Sequence, residues 1–164
     1  MLRTALTATL LLLSPAASAD SGRVGGWTYT AELPDAGGGY VTALAPAPSA
    51  SYNEPSYMIA RCLSGRTEFL VGATGGWGAS GRELEVTSEI DAQGAKTAKW
   101  IVSTNGKAVF ADDPAEEFLR AISDPGTLRF AVRDPGGAVH ETVFDTTGFA
   151  TVRAKIGKAC GWAP

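Results

Sequence analysis

Apolar and polar residues alternate over several short stretches of this chain, and that two-residue period predicts strands with one buried and one wet face. Across residues 82–90, Leu84, Val86, Ser88 and Ile90 share one side, while Glu83, Glu85, Thr87 and Glu89 share the other. That reads as a half-buried strand with an acidic outer side. Residues 57–63 place Met58, Ala60 and Cys62 together, and Ser64-Gly65 turns the chain into a returning strand at 67–71. In 127–133, Leu128, Phe130 and Val132 point inward. Asp134-Pro135-Gly136-Gly137 then turns the chain, and 138–144 pairs back. Shorter strands are expected at 27–31 and 40–44, on either side of Gly37-Gly38-Gly39, and a hairpin joins 99–103 to 108–110 through Asn105-Gly106. Residues 20–26 are small and polar and are expected to be loose. Residues 45–56 carry Pro46, Pro48 and Pro55, which predicts an exposed loop.

The period changes to a helical one in two places. Ala115, Phe118, Leu119 and Ile122 follow i, i+3, i+4, i+7 spacing. Asp113 is the expected N-cap, with Pro114 at the first helical position and Glu116 completing a capping-box-like pattern. Asp124-Pro125-Gly126 stops this helix. Near the C-terminus, residues 148–159 carry Phe149, Val152 and Ile156 on one stripe, which Cys160 continues, with Arg153, Lys155 and Lys158 on the other side.

Composition adds the compartment. Residues 1–19 have Arg3, an apolar run from Leu6 to Leu13 and the small-x-small site Ala17-Ser18-Ala19. This is the pattern of a cleaved export signal, too short to span a bilayer. No cysteine follows Ala19, so a lipid anchor is not expected. Removing those 19 of 164 residues leaves 145, enough for one domain with a sizeable core. Losing Arg3 takes the net charge from −3 to −4. That excludes a dedicated nucleic-acid binder and tight binding to anionic lipid, and no later apolar run predicts a membrane span. Cys62 and Cys160 are the two thiols of the chain. An oxidising compartment favours one intramolecular bridge between them over free thiols or an intermolecular bond.

Candidate chemistry is sparse. Gly76-Trp77-Gly78-Ala79-Ser80-Gly81 matches G-x-G-x-x-G, but a strand is expected after it, where a nucleotide site needs a helix, so it reads as a glycine-rich turn. His140 is the single histidine, and a hydrolytic triad would have to combine it with residues such as Ser103 and Asp145. No nucleophile-elbow motif accompanies it. One histidine and two bridged cysteines do not make a conventional zinc site. The pairs Asp112/Asp113 and Glu116/Glu117 read as complements to a helix N-terminus rather than as paired catalytic acids. Trp100 and Trp162 are expected to be core or disulfide-packing residues. Trp77, between Gly76 and Gly78 in the glycine-rich segment 72–81, is the candidate recognition residue.

The order of several short motifs resembles the VasI/TagO-like family, accessory proteins linked to bacterial type VI secretion. These are Arg61-Cys62, Ile90-Asp91, Trp100 to Ser103, the Ala-x-x-Phe-Leu of Ala115 to Leu119, the Phe-Asp-x-x-Gly of Phe144 to Gly148, and Ala159-Cys160-Gly161-Trp162. The resemblance covers residues 57–162. Glu89 stands where the family pattern has Arg, and the segment before Tyr57 is unmatched. The resemblance implies a non-enzymatic accessory role and supplies no catalytic residues.

The sequence therefore predicts an α+β protein, an antiparallel sheet or small β-sandwich covered by two amphipathic helices and closed by one disulfide. After a signal at 1–19, residues 20–56 hold N-terminal strands and a Pro/Ala-rich loop, and 57–162 form the family-like core, one domain with 27–56. The expected function is that of a periplasmic or secreted accessory or binding protein with a protein partner in the cell envelope and no cofactor. Two alternatives are an exported inhibitor or ligand-binding module using residues 72–81, and a hydrolase centred on His140.

Overall fold

A computed structural model describes residues 19–34, 38–111 and 114–162. The leader up to Ser18, the Gly37 turn position, and the acid pair Asp112/Asp113 with its expected N-cap lie outside the described residues. The strands are β1 (Ala19–Val24), β2 (Trp27–Glu32), β3 (Tyr40–Pro46), β4 (Tyr57–Leu63), β5 (Arg66–Gly72), β6 (Glu83–Ile90), β7 (Lys96–Val102), β8 (Ala108–Phe110), β9 (Thr127–Arg133) and β10 (Val139–Asp145). Helix α1 (Ala115–Ala121) lies between β8 and β9, and α2 (Phe149–Cys160) follows β10. All ten strands form one antiparallel sheet in the order β1-β2-β3-β4-β5-β8-β7-β6-β9-β10.

The sheet curls strongly. β5 and β9 are four places apart in it, a separation of about 19 Å on a flat sheet. Yet the rings of Phe69 on β5 and Phe130 on β9 stack with centroids 5.9 Å apart. The inner face therefore meets itself, and alternate residues of nearly every strand enter one core: Val41, Ala43 and Ala45 on β3, Met58, Ala60 and Cys62 on β4, Leu128, Phe130 and Val132 on β9. The two helices lie on this concave side. The small inner residues Ala43, Ala45 and Ala60 let α2 approach β3 and β4, where Phe149, Val152 and Ile156 are fully buried. Phe149 reaches Trp27 on β2 at 5.0 Å. Phe118 of α1 reaches Phe69 at 4.9 Å. Cys160, the last residue of α2, is bonded to Cys62 on the inner face of β4, with Cα atoms 5.6 Å apart. The expected bridge is present.

This overturns the helix-covered α+β arrangement. One ten-stranded sheet covers itself by curvature, and two short helices fill part of its interior. The N-terminal segment is a second correction. Residues expected to be loose form β1, paired with β2 from Ala19↔Glu32 to Val24↔Trp27. Its sequence is polar because it is an edge strand held by backbone bonds and by an ion pair, Lys155 Nζ to Asp20 Oδ2 at 2.6 Å. That bond raises the Lys155 pKa. The β1–β2 turn meets the start of α2, where Gly26 N–H donates to the Thr147 carbonyl at 3.3 Å. A side chain on Gly25 would strike that same carbonyl at 1.9 Å, so the contact requires glycine.

The acidic outer side expected for β6 is present, and neighbouring strands answer it with bases. Glu83 faces Lys99, Glu85 faces Arg133, and Glu89 faces Arg129 at 3.8, 3.1 and 3.5 Å. Exposed pairs of this kind contribute about 0–1 kcal/mol each.

Helix α1 begins one residue later than expected, because Pro114 has extended backbone (φ −89°, ψ 114°) and stands at the cap. Helix α2 is capped from a distance. Gly148 at its N-cap has no side chain, and Asp124 accepts from Gly148 N–H at 2.9 Å and from Ala150 N–H at 2.6 Å. The residue that stops one helix thus starts the next. Asp124→Ala should cost about 1–2 kcal/mol, read as a lower denaturation midpoint, whereas Asp124→Asn should recover part of the loss by still offering one acceptor oxygen.

Candidate functional site

The core ends where the inner row of β7 changes character. Trp100 is buried at 4% exposure, but the next inner positions outward are Ala98 and then Lys96. Small and polar residues there cannot fill the concave face, so it opens into a cleft of about 510 Å³, within the range of small-molecule and side-chain pockets. Ser88 and Ile90 of β6 form one wall, Gln93 and Gly94 in the β6–β7 turn form the end, and Glu117, Phe118 and Ala121 of α1 form the opposite wall. The floor is aromatic. Trp100 and Phe118 meet edge to face at 5.8 Å, and both rest on Phe130, at 5.7 and 6.2 Å.

Four polar side chains line this cleft: Ser88, Gln93, Lys96 and Glu117. None makes a hydrogen bond or ion pair to another of the described residues, whereas Glu116, beside Glu117, is tied to Arg120 at 2.8 Å. An apolar floor with uncommitted donors and acceptors on its walls can bury an apolar group and orient it by hydrogen bonds. Among the described residues there is no cluster of three or more His, Cys, Asp or Glu side chains able to hold a metal ion.

The segment 72–81, where the sequence placed recognition, is a docked loop. Trp77 is 6% exposed, so its ring is not presented as an anchor. Its indole N–H donates to the Asn53 carbonyl at 2.8 Å, and its backbone N–H donates to the Gly106 carbonyl at 2.9 Å. Gly76 has φ +69°, and a Cβ there would lie 2.5 Å from the Gly106 oxygen, so this glycine permits close docking. Gly78 also has positive φ but faces open space. The strand β6 follows the G-x-G-x-x-G pattern, so no helix N-terminus stands there for a phosphate. Trp77→Ala should lower stability by about 3 kcal/mol, in the range for deleting a buried aromatic side chain. A urea melt beside the wild type checks this, and an unchanged midpoint would return Trp77 to the surface.

The residues of a His140-centred site stand apart. His140 Nε2 lies 2.9 Å from Asp134 Oδ2, across the β9–β10 turn. That bond, with the backbone N–H groups of Ala138 and Gly136, holds the Asp134 carboxyl below the usual range. Ser103 Oγ donates to Asn105 Oδ1 at 2.7 Å. Asp145 accepts from Thr147, which lowers its pKa. Asp145 sits five residues from His140 on the same strand, roughly 16 Å along it. Trp100 is in the core as expected. Trp162 lies half-buried at the end of α2, with its indole N–H on Thr67 Oγ1 at 2.7 Å and the Arg120 guanidinium over its ring at 4.7 Å.

No protein-family model matches the chain, and no curated protein matches its sequence. Among solved structures, the invasion associated protein b of Bartonella henselae is similar with a TM-score of 0.46 and 14% identity, over 83% of this chain and 93% of that one. At that distance neither the residues nor the role of that protein are carried over.

Proposed function

We propose that this chain is an exported binding protein of the bacterial cell envelope, working by recognition and without covalent chemistry. The cleft between α1 and the β6–β7 hairpin is its contact site. The observation that carries the reading is the set of four uncommitted polar groups, Ser88, Gln93, Lys96 and Glu117, around the Trp100–Phe118 floor. Such a site suits an apolar side chain or short segment of a protein partner, with the rim fixing its register. The Cys62–Cys160 bridge supports an oxidising compartment. The leader pattern supports export, and cleavage after Ala19 would leave Asp20 in β1, where Lys155 already binds it. The motif order, which resembles that of the VasI/TagO-like family, supports a partner in a type VI secretion apparatus.

The test is a comparison of affinity captures from periplasm. Wild-type protein and an Ala98→Trp variant, whose new ring fills the cleft, are used as bait and the retained proteins are quantified by mass spectrometry. The reading expects an envelope protein, and in its narrower form a secretion-apparatus component, that the wild type retains and the equally stable variant loses. Identical retention by both baits would remove the cleft from the account.

A further inference from the structure

The loops opposite the cleft form a second surface. Residues 47–56, 73–82 and 103–107 meet at the other end of β6 and β7, across strands whose length is roughly 20 Å. Trp77 binds the first loop through Asn53 and the third through Gly106. Gly75 N–H donates to the Tyr52 carbonyl at 2.7 Å, Ala73 N–H to the Lys107 carbonyl at 3.0 Å, and Ser80 Oγ to the Thr104 carbonyl at 2.7 Å. The three loops are therefore fixed to one another. At their tip stands Tyr52, 70% exposed. Its ring lies on the Gly75 backbone so closely that a Cβ at Gly75 would come within 2.4 Å of two ring carbons.

An aromatic ring held in place and left in water is a preorganised contact, since its ordering cost is already met in the free protein. Its surroundings define what it fits. The charged groups of the three loops are Glu54, Arg82 and Lys107, and the Glu54 carboxylate is engaged by Ser51 N–H at 2.7 Å. The remaining side chains are mostly small, hydroxyls, amides and glycines such as Ser49, Asn53, Thr104 and Asn105 beside alanines and prolines, with Trp77 buried beneath them. A protein hot spot draws on a packed apolar pocket around its anchor, and a nucleic acid or other polyanion needs clustered cations. Neither is here.

We propose that Tyr52 and the three loops around it bind an uncharged glycan. The electron-rich face of the ring takes the C–H face of a pyranose, and the hydroxyl and amide side chains take its hydroxyl groups, with few charges to desolvate. Trp77 is a positioning residue that ties the loops together. This site does not rest on the cleft reading, and either can fail alone.

The experiment is an NMR titration of the disulfide-bonded mature chain with two neutral probes, maltotetraose and the tetramer of N-acetylglucosamine. The expected result is amide shifts confined to the three loops with at least one probe. Tyr52→Ala should weaken binding about tenfold or more, the equivalent of about 1.4 kcal/mol, without changing the melting temperature. Gly75→Ala, which displaces the ring, should weaken it as well. Absence of loop shifts with both sugars, or equal binding by Tyr52→Ala, would overturn the proposal. So would a protein partner that is lost in Tyr52→Ala while neither sugar binds. Capture through the cleft should be the same in Tyr52→Ala as in the wild type.

Discussion

Replacing Cys62 by serine should lower the folding stability of the mature chain by about 4–5 kcal/mol, the value chain entropy gives for a loop near 100 residues. The two cysteines are 98 residues apart, and the loop they close contains every element from β5 through α2. Without the bond, α2 is held to the inner face of β3 and β4 by Phe149, Val152 and Ile156, and the unfolded chain recovers its full freedom. In a chain of this size such a loss is a fall of about 10–20 °C in melting temperature. Cys160→Ser should match it, and the double variant should lose no more than either single one, because all three remove the same bond. Additive losses would mean that each side chain acts by its own packing and that the bridge contributes little. Scanning calorimetry with and without reductant measures the same quantity on the unaltered sequence.

Phe130→Ala should cost about 3–5 kcal/mol. Phe130 is the ring on which the curled sheet closes. It touches Phe69 across the interior at 5.9 Å, Trp100 at 5.7 Å, Phe118 at 6.2 Å and Phe144 at 6.1 Å. Its removal leaves a cavity bordered by three strands, β5, β7 and β10, and by helix α1, which cannot all collapse together. The floor of the cleft would loosen with it, so the near-ultraviolet circular dichroism of Trp100 should weaken even in the protein that remains folded. The adjacent outward residue gives the control. Arg129→Ala removes exposed ion pairs to Glu89 and Glu141 and should cost about 1 kcal/mol or less. Similar losses for the two substitutions would contradict the closed core.

Much of the strand content is written in the alternation of the sequence. Leu128, Phe130 and Val132 specify β9 because the inward positions are large and apolar and Thr127, Arg129 and Arg133 stand outward, and the alternate Met58, Ala60 and Cys62 mark the inner face of β4. The stripe Phe149, Val152, Ile156, Cys160 specifies α2 and aims its final residue at the sheet. What alternation omits is curvature. It states which face of a strand is buried but not whether a helix or another part of the same sheet buries it, and so the helix-covered arrangement was expected where the sheet covers itself. β1 was illegible for a different reason: Asp20, Ser21, Gly22 and Arg23 bury little, and the strand forms through backbone pairing to β2.

The candidate site was legible only in part. Glycines around Trp77 signalled a mobile loop, but Gly75 and Gly76 serve close docking of three loops, and the exposed ring is that of Tyr52, from the proline-rich segment. Trp100 and Phe118 were readable as core residues. That they floor an opening depends on Lys96 and Ala98 following Trp100 along the inner row, in residues the sequence did not assign to the strand. Asp124, read as a helix stop, caps a helix that begins 25 residues later, a contact that no local motif announces.

The central claim, an exported chain whose last helix is clasped to its sheet, is tested most directly by mapping unreduced peptides of the protein recovered from the periplasm. The account predicts an N-terminus at Asp20 and a single crosslinked peptide pair containing Cys62 and Cys160. Protein retained in the cytoplasm with Met1 in place, or two thiols free to alkylate in the folded periplasmic form, would contradict it.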